Sequence, residues 1–201
     1  MKIFLPGFLG APEDFPNCNA IPLPEKLSDL LSYGKNLTLI GYSMGGRIAL
    51  MFTHQYPEAV KEVIAISANP GIDPSEIPKR ILWEKKWLAV MKQSDFIEKW
   101  YAQPLFASLR NSKNFPEMLQ RRKQVNLEEA HKLFAHYRLS KQPNLWEKLP
   151  EMPVRFVFGE LDEKYLPIHE RLLRMGIESQ LVPNCGHAIP VEVPHRVFSM
   201  K

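Results

Sequence analysis

From Leu37 to Phe52 the chain reads Leu-Thr-Leu-Ile, then Gly41-Tyr42-Ser43-Met44-Gly45, then Gly46-Arg47-Ile48-Ala49-Leu50-Met51-Phe52. A short β-branched run, a serine between two glycines and a helical run follow one another without a spacer. Few arrangements satisfy that order. A strand must end in a sharp turn that opens a helix, with the serine hydroxyl pushed out of the sheet at the turn. Glycines two residues to either side let neighbouring backbone pass without a Cβ clash. The new helix N-terminus then lies beneath the serine and favours negative charge developing there. The pattern G-x-S-x-G is weak alone; the strand before it and the helix after it carry the inference.

Four further apolar runs have strand length. They are residues 2–5 (Lys-Ile-Phe-Leu), 62–67 (Glu-Val-Ile-Ala-Ile-Ser), 154–158 (Val-Arg-Phe-Val-Phe) and 179–182 (Ser-Gln-Leu-Val). Continuous runs this short fit buried parallel strands. Helical patterns over 44–56, ending at Pro57, and over 166–175 alternate with them. Strands alternating with helices predict a mostly parallel α/β sheet flanked by helices. Residues 70–149 differ, with helical spacing throughout and few strand-like runs. The expected division is a core of 1–69 and 150–201 with a helical cap insertion at 70–149, bordered by Pro70-Gly71 and Pro150.

A serine nucleophile or base needs a histidine, and the histidine an orienting acid. For a strand–serine–helix turn the chain order is Ser, acid, His. His187, in Asn184-Cys185-Gly186-His187, follows the last candidate strand. Asp162, in Gly159-Glu160-Leu161-Asp162, follows the fourth. Both sit where open α/β sheets place their sites, at carboxyl ends of strands. Glu160 and Glu163 are rival acids. Two backbone donors are expected for an oxyanion: the N–H of Met44, and one from Pro6-Gly7-Phe8-Leu9-Gly10, for which Phe8 is the candidate.

Charge is spread unevenly. Residues 79–148 hold fifteen Lys and Arg against seven Asp and Glu, whereas the whole chain carries only +4. Such a basic segment suits a small anionic substrate held beneath it, nucleic acid, or simply a solvated helical surface. Arg47 stands one turn after Ser43, where a cation opposes the helix dipole unless an anion lies near it. No apolar stretch is long enough to span a membrane, and no aromatic-and-basic nucleic-acid motif is present. Two cysteines, Cys18 and Cys185, make no disulfide framework, which points to a cytoplasmic setting. No metal or cofactor motif is seen. The oligomeric state is left open.

The run Gly41 to Arg47, then Asn69-Pro70-Gly71-Ile72, Trp100-Tyr101-Ala102-Gln103-Pro104-Leu105-Phe106-Ala107-Ser108-Leu109, Gln142-Pro143-Asn144-Leu145 and Gly159 to Asp162 resemble one family. It is 2-succinyl-6-hydroxy-2,4-cyclohexadiene-1-carboxylate synthase of the menaquinone pathway, on the α/β-hydrolase fold. The resemblance spans most of residues 3–195. It implies a carbon–oxygen lyase without cofactor. The triad serine acts as base and pyruvate leaves 2-succinyl-5-enolpyruvyl-6-hydroxy-3-cyclohexene-1-carboxylate, a substrate with three carboxylates. It also implies that Arg47, Arg80 and Arg121 hold carboxylates, and that Trp100, Tyr101 and Tyr42 line the pocket. The chain departs from the family at Pro6, where His is usual, and at residues 16–36, too short for the usual strand and helix. It starts at what resembles the family's third strand, and the segment after His187 is short, so a reduced sheet is expected. The alternative is a serine carboxylesterase acting on acidic acyl esters with the same triad.

Overall fold

A computed structural model describes residues 1–15 and 18–198. Its frame is five strands: β1 (Lys2–Leu5), β2 (Leu37–Tyr42), β3 (Val60–Ile66), β4 (Val154–Gly159) and β5 (Ser179–Val182). All pair in parallel, in the spatial order β1-β2-β3-β4-β5. The expected mostly parallel sheet is thus wholly parallel. β3 starts two residues ahead of the apolar run because Val60 pairs with Leu37.

Sequential order and right-handed crossovers place successive connections on one face of a sheet. Two crossover helices, α1 (Met44–Gln55) and α7 (Leu166–Arg174), pack there. Ile48 and Phe52 from α1 and Leu172 from α7 join Leu39, Val63, Ala65, Phe156 and Phe158 in one buried cluster. The alternate residues Phe4, Ile40, Ile64, Ile66 and Val157 point to the other face, following the two-residue period of a strand. Phe15, Ile189 and Val193 cover them. The short stretch between Phe15 and Leu37 supplies an extended bridge, Ala20 beside Phe4, and a 3-10 helix over Leu27–Tyr33. Residues 16 and 17 of that stretch lie outside the described residues, as do 199–201 at the end of the expected core.

The β3–β4 connection carries α2 (Ile77–Val90), α3 (Phe96–Tyr101), α4 (Ala107–Arg110), α5 (Phe115–Arg122) and α6 (Leu127–His136). Trp87, Trp100, Phe96 and Phe134 form their aromatic interior. Beyond β5, α8 (Ile189–Glu192) and α9 (Pro194–Phe198) follow the loop bearing His187. Both cysteines are free thiols, and no helix among the described residues is long and apolar enough to cross a membrane.

Candidate active site

Ser43 joins β2 to α1 with φ 51° and ψ −108°. For a residue with a Cβ that backbone costs on the order of 1–3 kcal/mol and persists only when its surroundings impose it. Two contacts do so. The Ser43 N–H donates to Ile66 O at 2.8 Å, and Gly45 lies so close to β1 that a Cβ there would fall 2.3 Å from Leu5 O.

The turn aims Ser43 Oγ at His187, whose Nε2 lies 3.2 Å away, and Asp162 Oδ2 lies 2.7 Å from His187 Nδ1. His187 and Asp162 are nearly sealed from solvent, at 2% and 3% exposure. Phe106 and Tyr165 stand around the imidazole at 6.0 and 4.8 Å between ring centres. Glu160 and Glu163, the rival acids, are exposed, and Glu160 accepts the Asn184 N–H at 3.0 Å instead.

Met44 occupies the first helical position, where an N–H has no intrahelical acceptor. The Phe8 N–H makes no hydrogen bond among the described residues. Both residues border the same cavity as Ser43 and His187.

That cavity is about 100 Å³ and lies between the carboxyl ends of the strands and the helices of the β3–β4 connection. Arg47 lines it and is buried at 8% exposure. Its guanidinium donates to Tyr137 O at 2.9 Å and to Gln142 Oε1 at 3.1 Å. It meets no carboxylate within ion-pair distance among the described residues. Burial, and then the nearby Arg80, pull its pKa down to about 10. Arg80 lines the cavity too, paired with fully buried Glu84 at 2.8 Å and stacked 4.2 Å above the Trp83 ring.

Trp100, Tyr101 and Tyr42 all border the cavity. Trp100 and Tyr101 are also core, at 8% and 6% exposure, so wall and interior are one layer here. Burial, ahead of any neighbouring charge, pushes the Tyr42 phenol well up and the Tyr101 phenol up.

Arg121 is placed differently from the expectation. It is more than a third exposed, pairs with Glu117 and Asp14, and does not border the cavity. Its neighbour Arg122 does. Arg122 is 4% exposed, ion-paired with buried Asp14, and its Nε donates to Tyr101 Oη at 3.3 Å. The helix explains the exchange: Met118, one turn before Arg122, is 1% exposed, so that stripe of α5 faces inward and Arg121 lies about 100° away. The phase of α5 was the signal in the sequence. Lys164 was also missed. It follows Asp162 by two residues and borders the cavity; partial burial, then Arg80, hold its ammonium below the usual range although the residue overall is exposed.

A serine on a strained strand–helix turn, a histidine and a buried acid from later strand ends, and a parallel sheet beneath them define a serine-centred α/β enzyme scaffold. The chain belongs to the alpha/beta hydrolase family, whose pattern matches residues 5–200. A putative 2-succinyl-6-hydroxy-2,4-cyclohexadiene-1-carboxylate synthase from Bacillus subtilis (strain 168) is 32% identical over 80% of this chain and 62% of its own length. The synthase of that name from Escherichia coli O1:K1 / APEC is 28% identical over 85% of this chain and 69% of its own. Protein PHYLLO, chloroplastic, of Arabidopsis thaliana is 32% identical over 86% of this chain, which spans 11% of that protein. The chain therefore spans about three-fifths of the Bacillus relative and a small part of the plant one. Among solved structures, MenH from S. aureus superposes with a TM-score of 0.86 at 26% identity, covering 99% of this chain and 90% of that one.

Proposed function

We propose that this chain is a 2-succinyl-6-hydroxy-2,4-cyclohexadiene-1-carboxylate synthase, a lyase that expels pyruvate from the enolpyruvyl precursor in menaquinone biosynthesis. Ser43 is the base, His187 takes its proton, and Asp162 holds the imidazole tautomer and stabilises its charged form. The ring proton beside the succinyl ketone goes to Ser43 Oγ. The electron pair forms a double bond from that carbon to its ring neighbour, the existing ring double bond shifts one place towards the carbon bearing the enolpyruvyl group, the carbon–oxygen bond there breaks, and the departing enolate takes the proton held by His187 to become pyruvate. Negative charge passing through the ketone oxygen is met by the N–H groups of Phe8 and Met44. Residues 70–149 act as the cap. Tyr42, Trp100 and Tyr101 wall the pocket, and Arg47, Arg80 and Arg122 take the carboxylates, with Arg121 at the rim.

The observation that carries this reading is Arg47: a buried guanidinium that meets no carboxylate partner among the described residues and borders the cavity that holds Ser43 and His187. Burying a cation without a counter-ion is costly, and an anionic ligand offsets that cost. An elimination that needs only a base and oxyanion donors fits a site with both. The names of the Bacillus and Escherichia relatives support the same substrate. The two free thiols support a cytoplasmic setting.

Size adds a condition. A cavity of about 100 Å³ is well below the roughly 300 Å³ at which drug-sized ligand pockets begin. The cap must therefore move away from the core to admit a six-membered ring with three carboxylates. The test is steady-state pyruvate release from the enolpyruvyl substrate by wild type and Ser43→Ala. Rapid release that collapses in the variant supports the lyase. No release, with short acyl esters still cleaved, replaces it with the carboxylesterase.

A further inference from the structure

We propose that Glu192 is a positioning residue for His187, and that through Ser108 it ties the histidine's geometry to the seating of the cap. The inference rests on the reading of Ser43, His187 and Asp162 as the catalytic triad.

Glu192 ends α8, one turn beyond the His187 loop. Its Oε2 accepts the Gly186 N–H at 2.9 Å and its Oε1 accepts the Ala188 N–H at 3.1 Å. One carboxylate thus accepts the N–H groups of the residues on either side of the histidine. Charge-assisted bonds of this kind are about twice as strong as neutral ones, and two that bracket His187 in the chain restrict the backbone from which the imidazole projects. The His187–Ser43 bond, at 3.2 Å, is at the long end of the useful range, so a displacement of a few tenths of an ångström breaks it.

The same carboxylate is held from the cap. Ser108 Oγ, on α4, donates to Glu192 Oε2. Asn114, preceding α5, donates to Val191 O at 2.7 Å. Gly186 lies so near α4 that a Cβ on it would fall 2.7 Å from Ser108 Cβ. Admission of substrate requires the cap to move, and the α4–α5 end of the cap is bonded to the segment that carries His187. His187 is therefore aligned with Ser43 when Ser108 is seated on Glu192, and loosened when the cap lifts.

The experiment measures the rate at which a fluorophosphonate labels Ser43 at one fixed pH, by intact mass, which reads the triad independently of the natural substrate. Glu192→Ala is expected to slow labelling by about 10–100-fold, the scale of a misplaced catalytic group. It is also expected to shift or broaden the downfield proton resonance of the His187 Nδ1–H bonded to Asp162, which a purely structural anchor leaves in place. Ser108→Ala is expected to slow labelling by about 3–10-fold, the cost of losing one charge-assisted bond. A folded Glu192→Ala protein with wild-type rate overturns the proposal, and so does a slower rate with an unmoved resonance, which leaves Glu192 a structural anchor. Should Glu192→Ala not fold, Glu192→Gln and Ser108→Ala decide: wild-type labelling in both overturns it. Wild type labelled no faster than His187→Ala removes the triad reading and this inference with it.

Discussion

A Cβ built on Gly159, the last residue of β4, would fall 2.1 Å from the carbonyl oxygen of Gly186. The loop carrying His187 thus lies directly across the end of the strand that leads to Asp162. The 2.7 Å contact between Asp162 and His187 depends on that crossing. Gly159→Ala is expected to push the loop away, costing about 1–3 kcal/mol of stability as an overpacked site does. Turnover is expected to fall by about 100-fold or more, since small misplacements at a reacting group are costly. Denaturant unfolding alongside pyruvate release measures both.

Asp162 and its neighbours make a second prediction. A neutral amide at 162 can still hydrogen-bond Nδ1, but it selects the wrong imidazole tautomer and leaves the cation unsupported. Asp162→Asn is expected to lower kcat by about 10³–10⁴-fold with the fold retained. Glu160→Gln and Glu163→Gln, at exposed positions, are expected to stay within about threefold of wild type, as surface changes away from the site do. Comparable loss in either glutamine variant would reassign the acid.

Arg47 sets stability against function. Its pKa in the folded chain is pulled down to about 10 from the ordinary 12.5, by burial first and Arg80 second. Below pH 10 both folded and unfolded chains hold this proton, and the full burial cost is present. Between about 10 and 12.5 the unfolded chain binds more protons, so this group's contribution to stability rises with pH. Arg47→Met is expected to leave stability at pH 7 unchanged or raised by about 1–2 kcal/mol, as replacement of a buried charge often does. It is expected to flatten the alkaline rise, and to lower kcat/KM for the tricarboxylate about 100-fold through loss of a charged hydrogen-bonding fork. Chemical denaturation at pH 7, 9.5 and 11 with matched kinetics tests both halves. A variant that loses stability at pH 7 and keeps kcat/KM would show Arg47 to be a core residue.

Much of this architecture is legible in the sequence because local and global signals coincide. The inner strands are short apolar runs buried largely on both faces, so Leu37–Tyr42 and Val154–Gly159 stand out without periodicity, whereas Gln180 and Leu181 of the edge strand β5 are exposed. The order Ser43, Asp162, His187 suffices to name three side chains that the fold brings within hydrogen-bond reach. What is hidden depends on which face of an element turns inward over long separations. Asp14 meets Arg122 across more than a hundred residues, and nothing near either one announces the other. Lys164 reads as a loop cation until the Arg80-bearing helix is laid beside it. Glu192 reads as an exposed helix end, and only the tertiary turn of the His187 loop aims two N–H groups at it.

The adjacent arginines of α5 show how one residue of helical phase decides a site. Arg121 forks between Glu117 and Asp14 at the surface, whereas Arg122 enters the cavity wall with Asp14 and Tyr101. Arg121→Ala is expected to change kcat/KM by no more than about threefold, since exposed ion pairs contribute roughly 0–1 kcal/mol. Arg122→Ala removes a buried cation from the cavity wall. It is expected to cost about 3 kcal/mol of stability, because Asp14 is left buried with only the more distant Arg121, and to raise KM for the tricarboxylate at least tenfold. Arg122→Lys keeps the charge against Asp14 but loses the planar fork, so it is expected to recover most of the stability and little of the affinity. Thermal unfolding separates the first effect from the second. Equal kinetic losses at 121 and 122 would mean that α5 rotates when substrate binds, bringing Arg121 to the pocket as the family resemblance implies.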